Sequence, residues 1–232
     1  MTNTSQAGDI ILIDKPYGWT SFDAVNYLKR RLKIKKAGHA GTLDPLATGL
    51  LIVCTGKKTK QIQQLQGMEK EYKAIFLLGA ETPSYDLETE ATYTAPFEQV
   101  QALRESDIQQ CIDAHFTGEI MQRPPLYSAI KRQGKRLYEL ARQGKAEEVE
   151  LRPTHIHVFE ISAWNPPHLY VRIVCSKGTY IRSLAHDLGK ALGVGGCLTA
   201  LRRTRIGSYE LTHALSPAQY VKQYKSKHES LS

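Results

Sequence analysis

The 232-residue chain has only four cysteines, Cys54, Cys111, Cys175 and Cys197, and no two form a CxxC pair. A disulfide scaffold or a cysteine metal clamp is therefore not expected; reduced thiols in a reducing compartment are. Long apolar runs are missing too. The longest, around Leu50 to Cys54, falls far short of the ~20 residues that cross a bilayer. The opening MTNTSQAGDI lacks the charged-then-apolar order of a secretion signal. A soluble cytoplasmic protein without a membrane partner is expected. Nucleotide fingerprints are absent as well. CTGKKTK carries a Gly-Lys pair at 56–57, but a phosphate loop wants Gly where Leu51 stands and Ser or Thr where Lys58 stands. No dinucleotide-binding glycine pattern occurs. His155 and His157 alternate along an apolar stretch without cysteine or acidic neighbours, so no metal is expected. No repeat or low-complexity linker divides the chain.

Positive charge is what the chain has in excess. Lys and Arg total 31 against 23 acids, a net charge of +8, which suits a polyanionic partner. The cations gather at Lys29–Lys36, Lys57–Lys60, Lys131–Arg136 and Arg202–Arg205, the candidate phosphate contacts. With 41% hydrophobic residues the chain can build one sizeable core.

Periodicity organises the rest. DIILIDKPYGWT reads as a buried strand and a turn, followed by a helix capped by Thr20 or Ser21 with Phe22, Val25, Leu28 and Leu32 near one face. KEYKAIFLLG, THIHVFEISAW and LYVRIVCSKG read as strands. SDIQQCIDAHF reads as a helix capped by Ser106, and GKRLYELARQG as one stopped by Gly144. Another helix starts at Ile181, and a last one at Pro217 behind Ser216. Strands and helices follow no regular alternation, so the expected class is α+β rather than doubly wound. The polar, basic segment 119–150 is expected to be an insertion into a catalytic domain of residues 1–215, with a helix and polar tail over 216–232.

Two stretches could carry chemistry. In GHAGTLDPLATGLL, Asp44 precedes Pro45, and Asp-Pro is a common helix start. Gly38, Gly41 and Gly49 equally allow a large ligand to approach that acid closely. In CSKGTYIRSLAHDLG, an extended backbone through 180–182 would put Tyr180 and Arg182 on one face; the alternative is a strand-to-helix junction with an exposed arginine.

Several motifs together resemble the TruB family of tRNA pseudouridine synthases. KPYGWTSFDAV is similar to the family's N-terminal motif and GHAGTLDPLATGLL to its catalytic motif. KEYKAIFLLGAET and SKGTYIRSLAHDLG resemble the segments with its active-site tyrosines and arginine. PPLYSAIKRQGKRLYELARQG resembles its RNA-gripping thumb, and LTALRRTRIG closes the similarity, which spans roughly 10–211. The resemblance implies a pseudouridine synthase fold, a mixed and largely antiparallel sheet flanked by helices. It implies isomerisation of uridine-55 in the tRNA T loop to pseudouridine, with the T arm as partner and no cofactor. It makes Asp44 the catalytic aspartate, Tyr72 and Tyr180 contacts to the base, and Arg182 the partner of the aspartate. Lys15 and Leu201 would line the pocket, and His39 would help hold the RNA open. Many relatives carry a C-terminal PUA domain; here only a helix and a tail are expected after Ser216, without that domain, and a monomer is expected. Two rival readings need no catalytic aspartate: a non-catalytic RNA-binding module, and a different phosphate-handling enzyme.

Overall fold

The computed structural model describes residues 7–127 and 149–229, together with the backbone of 131–132 and 135–136. Its fold is α+β, with nine strands in a mixed, mostly antiparallel sheet and flanking helices. The chain divides into two compact units, Met1–Tyr72 with Leu201–Ser232, and Lys73–Ala200.

The first unit begins with β1 (Ile10–Lys15) and α1 (Ser21–Leu32). Thr20 caps α1 in a capping box, its hydroxyl accepting from the Asp23 N–H while the Asp23 carboxylate accepts from the Thr20 N–H. A short β2 (Ala37–His39) leads through the Asp44 loop into β3 (Ala47–Thr55), a 3-10 turn (Gly56–Gln61) and α2 (Ile62–Gly67). β1 and β2 both pair antiparallel with β3. β3 is the hub because it is apolar on both faces: Leu51 and Val53 pack with Ile11, Ile13, Val25 and Leu28, while Leu50, Ile52 and Cys54 pack with Ala40, Leu65 and Ile206. Phe22 does not join the buried face of α1 and stands exposed; Ala24 takes the inward position.

β4 (Lys70–Leu78) carries the chain into the second unit. There follow β5 (Ala80–Glu81), β6 (Thr92–Tyr93), α3 (Phe97–Gln101), α4 (Glu105–His115) and β7 (Gly118–Gln122). Arg104, rather than Ser106, precedes the first residue of α4. The short strands β8 (Lys131–Arg132) and β9 (Lys135–Arg136) pair with each other. Most of the thumb-like segment, including the helix expected up to Gly144, lies outside the described residues. β10 (Arg152–Asn165) pairs antiparallel with both β7 and β11 (His168–Cys175). α5 (Ile181–Ala191) buries Ile181, Leu184, Ala185 and Leu188. Phe76 and Phe159 meet edge to face at 6.1 Å in this unit's core.

β12 (Gly196–Ile206) returns the chain to the first unit, where Leu201–Arg203 run parallel to Ala47–Gly49. β13 (Tyr209–Glu210), a 3-10 turn (Leu211–His213) and α6 (Pro217–Glu229) complete it. Ser216 caps α6, its hydroxyl accepting from the Gln219 N–H. Val221 on α6 joins the core beside α1. Among the described residues, no helix is long and apolar enough to cross a membrane. No disulfide joins the four cysteines among the described residues, and Cys54, Cys175 and Cys197 are buried.

Candidate active site

Asp44 does not start a helix. It opens a tight turn, its carbonyl accepting from the Ala47 N–H at 3.0 Å, and β3 begins at Ala47. The approach to the turn is anchored residue by residue. The carbonyls of Gly41 and Thr42 accept from the Arg203 guanidinium at 3.0 and 3.4 Å. Leu43 is held at both polar atoms by Ser21 Oγ, which accepts from its N–H and donates to its carbonyl. The carbonyl of Pro45 accepts from the Gly18 N–H at 2.9 Å and from Lys15 Nζ at 3.4 Å. Every carbonyl from Gly41 to Pro45 therefore has a donor, and the half-buried Asp44 side chain projects from a backbone with little freedom to move. Such pre-organisation is what a carboxylate needs in order to act as nucleophile or base on a substrate whose approach is fixed.

Lys15 is fully buried, and its ammonium also donates to the carbonyls of Trp19 at 2.5 Å and Pro16 at 3.0 Å. Burial pushes its pKa down to about 8; Asp44 opposes the fall and Arg203 adds to it. His39 ends β2 opposite Val53, with its Nδ1 buried and without a hydrogen-bond partner among the described residues. Burial, and then the Arg203 charge, lower its pKa. Leu201 lies beside Ala47 across the parallel pair, and its carbonyl accepts from Thr48 Oγ1. Tyr72 is buried on β4 at the end of this unit's first segment. Lys15, His39, Asp44, Tyr72 and Leu201 thus all belong to the first unit, where Lys15 lies within electrostatic reach of Asp44.

Tyr180 and Arg182 belong to the second unit. The backbone is not extended through both: Tyr180 precedes α5 and Arg182 lies in its first turn, where it is buried. Gln122 grips both backbone polar atoms of Tyr180, accepting from the N–H at 2.7 Å and donating to the carbonyl at 3.0 Å. The Arg182 guanidinium donates to the carbonyls of Ser84 and Tyr127, each at 3.0 Å, and its Nε lies 3.5 Å from the buried Asp86 carboxylate. A planar fork with several fixed acceptors has one orientation, which a lysine would not keep.

Three of these supports escape a reading of the sequence alone. Asp86 and Gln122 sit in stretches with no recognisable spacing to Arg182 or Tyr180. Arg203 is hidden inside a cationic run, and it is buried rather than part of the phosphate surface that the run's composition suggests. Arg203 is 1% exposed, Arg202 pairs with Asp14 at 2.8 Å, and Arg205 pairs with Glu69 at 2.7 Å. The rings of His155 and His157 stand 4.6 Å apart on β10. No group of three or more potential metal ligands occurs among the described residues.

Residues 29–181 match the family described as TruB family pseudouridylate synthase (N terminal domain), and 182–231 match the tRNA pseudouridylate synthase B C-terminal domain. A tRNA pseudouridine synthase B of Flavobacterium johnsoniae is 55% identical over 216 residues, covering 90% of this chain and 92% of the relative. One from Bacteroides fragilis is 49% identical over 223 residues, covering 92% and 93%. Among solved structures, one of a Cbf5-Nop10-Gar1 complex matches with a TM-score of 0.72 and 34% identity. That match covers 95% of this chain but only 55% of the other.

Proposed function

The chain belongs to the TruB family, as a tRNA pseudouridine synthase, and from that premise we propose that it isomerises uridine-55 in the T loop of tRNA, with Asp44 as the catalytic carboxylate. The reaction breaks the bond from ribose C1′ to uracil N1 and remakes it from C1′ to C5. The C5 proton is lost and N1 regains one. Nothing is oxidised or added, so the chemistry calls for a carboxylate, a bound base and a route for one proton, and for no cofactor.

The anchored Gly41–Pro45 backbone is the observation that best supports Asp44 in this role, because it fixes the direction of a side chain that is still half open to solvent. Tyr72, Tyr180, Arg182, Lys15, His39 and Leu201 keep the roles that the resemblance assigns them. Extruding a stacked T-loop base costs a few kcal/mol, which the T-arm contacts must offset. The chain is proposed to act as a monomer, with residues 1–215 as its catalytic domain and the 119–150 segment as a thumb on the RNA.

The test is purified protein with an unmodified tRNA transcript and no added nucleotide or metal, followed by mapping of pseudouridine. Product at position 55 is expected, and Asp44→Asn is expected to bind the transcript and leave it unmodified. Bound but unmodified tRNA with the native protein would favour a non-catalytic RNA-binding module, and turnover by Asp44→Asn would remove the aspartate from the chemistry.

A further inference from the structure

We propose that Arg203 is a positioning residue for Asp44: its buried guanidinium ties together the two ends of the loop that presents the carboxylate, while Lys15 holds that loop from the other side. The inference rests on the reading of Asp44 as the catalytic carboxylate and adds to it a residue that the motif resemblance leaves among the surface cations.

The geometry is that of a staple. Arg203 donates to Gly41 and Thr42 on the chain entering the loop, and through Nε to the Leu50 carbonyl at 2.7 Å on the strand leaving it. Its own backbone runs beside Gly49, so close that a Cβ on Gly49 would stand 2.3 Å from the Arg203 carbonyl oxygen. Lys15 completes the grip at Pro45, one residue beyond Asp44. The planar fork directs Nε at Leu50 and the two terminal nitrogens at Gly41 and Thr42; a lysine at 203 would keep the charge and lose that fixed spread of donors.

The second clue is electrostatic. Burying two cations within reach of each other is costly, and the Arg203 charge weakens proton binding at both Lys15 and His39. Neutral donors could hold the same carbonyls without that repulsion. The charged pair is retained beside a loop whose one acid is Asp44, and the groups that Lys15 faces are Asp44, Arg203 and Asp23.

Two substitutions separate reach from charge. Arg203→Lys should lower kcat by about tenfold to a hundredfold, the scale set by misplacing a reacting group by roughly 1 Å, with KM for tRNA unchanged within about twofold. Arg203→Gln should lower kcat similarly and also move the basic limb of the pH profile upward, since Lys15 then keeps its proton to higher pH. The lysine variant should not show that movement. Wild-type kcat in Arg203→Lys, a loss confined to KM, or an unmoved basic limb in Arg203→Gln would each overturn the proposal. Loss of the native circular-dichroism spectrum in both variants would also overturn it, because Arg203 would then serve folding alone. Asp44→Ala run in parallel keeps the two readings apart. An active Asp44→Ala protein sinks the catalytic assignment, whereas inactive Asp44→Ala beside fully active Arg203→Lys sinks only the positioning role.

Discussion

Ser21 Oγ contacts both backbone polar atoms of Leu43, accepting from its N–H at 2.8 Å and donating to its carbonyl at 3.2 Å. The first residue of α1 therefore fixes the residue immediately before Asp44. Both partners are buried, so removing the hydroxyl leaves a donor and an acceptor without water or protein to replace it. Each unsatisfied group costs about 1–3 kcal/mol. Ser21→Ala should lower stability by roughly 2–6 kcal/mol in urea unfolding and reduce kcat while tRNA affinity stays near wild type. Unchanged kcat in a protein that remains folded would mean that the anchor is structural only.

RNA binding offers a second prediction, because two of the cationic clusters differ in exposure and pairing. Arg30, Arg31, Lys33, Lys35 and Lys36 are exposed at the end of α1 and just beyond it. Arg202 and Arg205 are paired with Asp14 and Glu69. Replacing Arg30, Lys33 and Lys35 with alanine should flatten the log–log salt dependence of tRNA binding by about 0.7–0.9 for each phosphate left without its cation. Arg202→Ala and Arg205→Ala should leave the slope as it was. The reverse pattern, read from filter binding at several salt concentrations, would show that the phosphates use the other surface.

Lys15 yields a prediction about pH. Its pKa is about 8 in the folded chain against 10.5 when unperturbed. Below pH 8 both folded and unfolded chains hold the proton, and the burial penalty is constant. Between about 8 and 10.5 the unfolded chain still holds a proton that the folded chain has released, so this residue makes stability rise with pH across that window. Wild type should gain roughly 2 kcal/mol on Lys15→Met between pH 7.5 and 10, since each pKa unit is worth about 1.4 kcal/mol. Parallel stability curves for the two proteins would show that Lys15 does not titrate there.

Much of the scaffold was legible because local rules agree with the fold. A short apolar run marks β1, alternating residues mark β10 with β11 as its partner, and the hydroxyls of Thr20 and Ser216 cap α1 and α6 as their spacing implies. Pattern failed where a long-range partner decides. Asp44-Pro45 looks like a helix start, but the sequence that follows pairs with β1 and β12, so the proline sits in a turn before a strand. Phe22 looks inward by spacing, yet the helix face that meets β1 and β3 is the one bearing Ala24, Val25 and Leu28. Arg203 is the sharpest case. Nothing local distinguishes it from Arg202 or Arg205, and only the parallel pairing of β12 with β3, which sets Arg203 beside Gly49, accounts for its burial.

That pairing also sets two glycines of one motif apart. Gly41 and Gly49 both have positive φ, +97° and +101°, so alanine at either position adopts a conformation costing about 1–2 kcal/mol. Their surroundings differ. A Cβ on Gly41 would meet only Arg203 Nη1, at an ordinary 3.6 Å. A Cβ on Gly49 would lie 2.3 Å from the carbonyl oxygen of Arg203 and 2.8 Å from its nitrogen, backbone atoms that cannot rotate away. Gly41→Ala should therefore cost only the conformational term. Gly49→Ala must in addition force β3 and β12 apart where Arg203 staples the loop, and its loss should exceed about 4 kcal/mol, the range reserved for disrupted cores and backbones. Urea unfolding of the two variants checks the contrast. Equal losses would mean that the close approach of the strands relaxes cheaply, and the rigidity ascribed to the Asp44 loop would then lack its foundation.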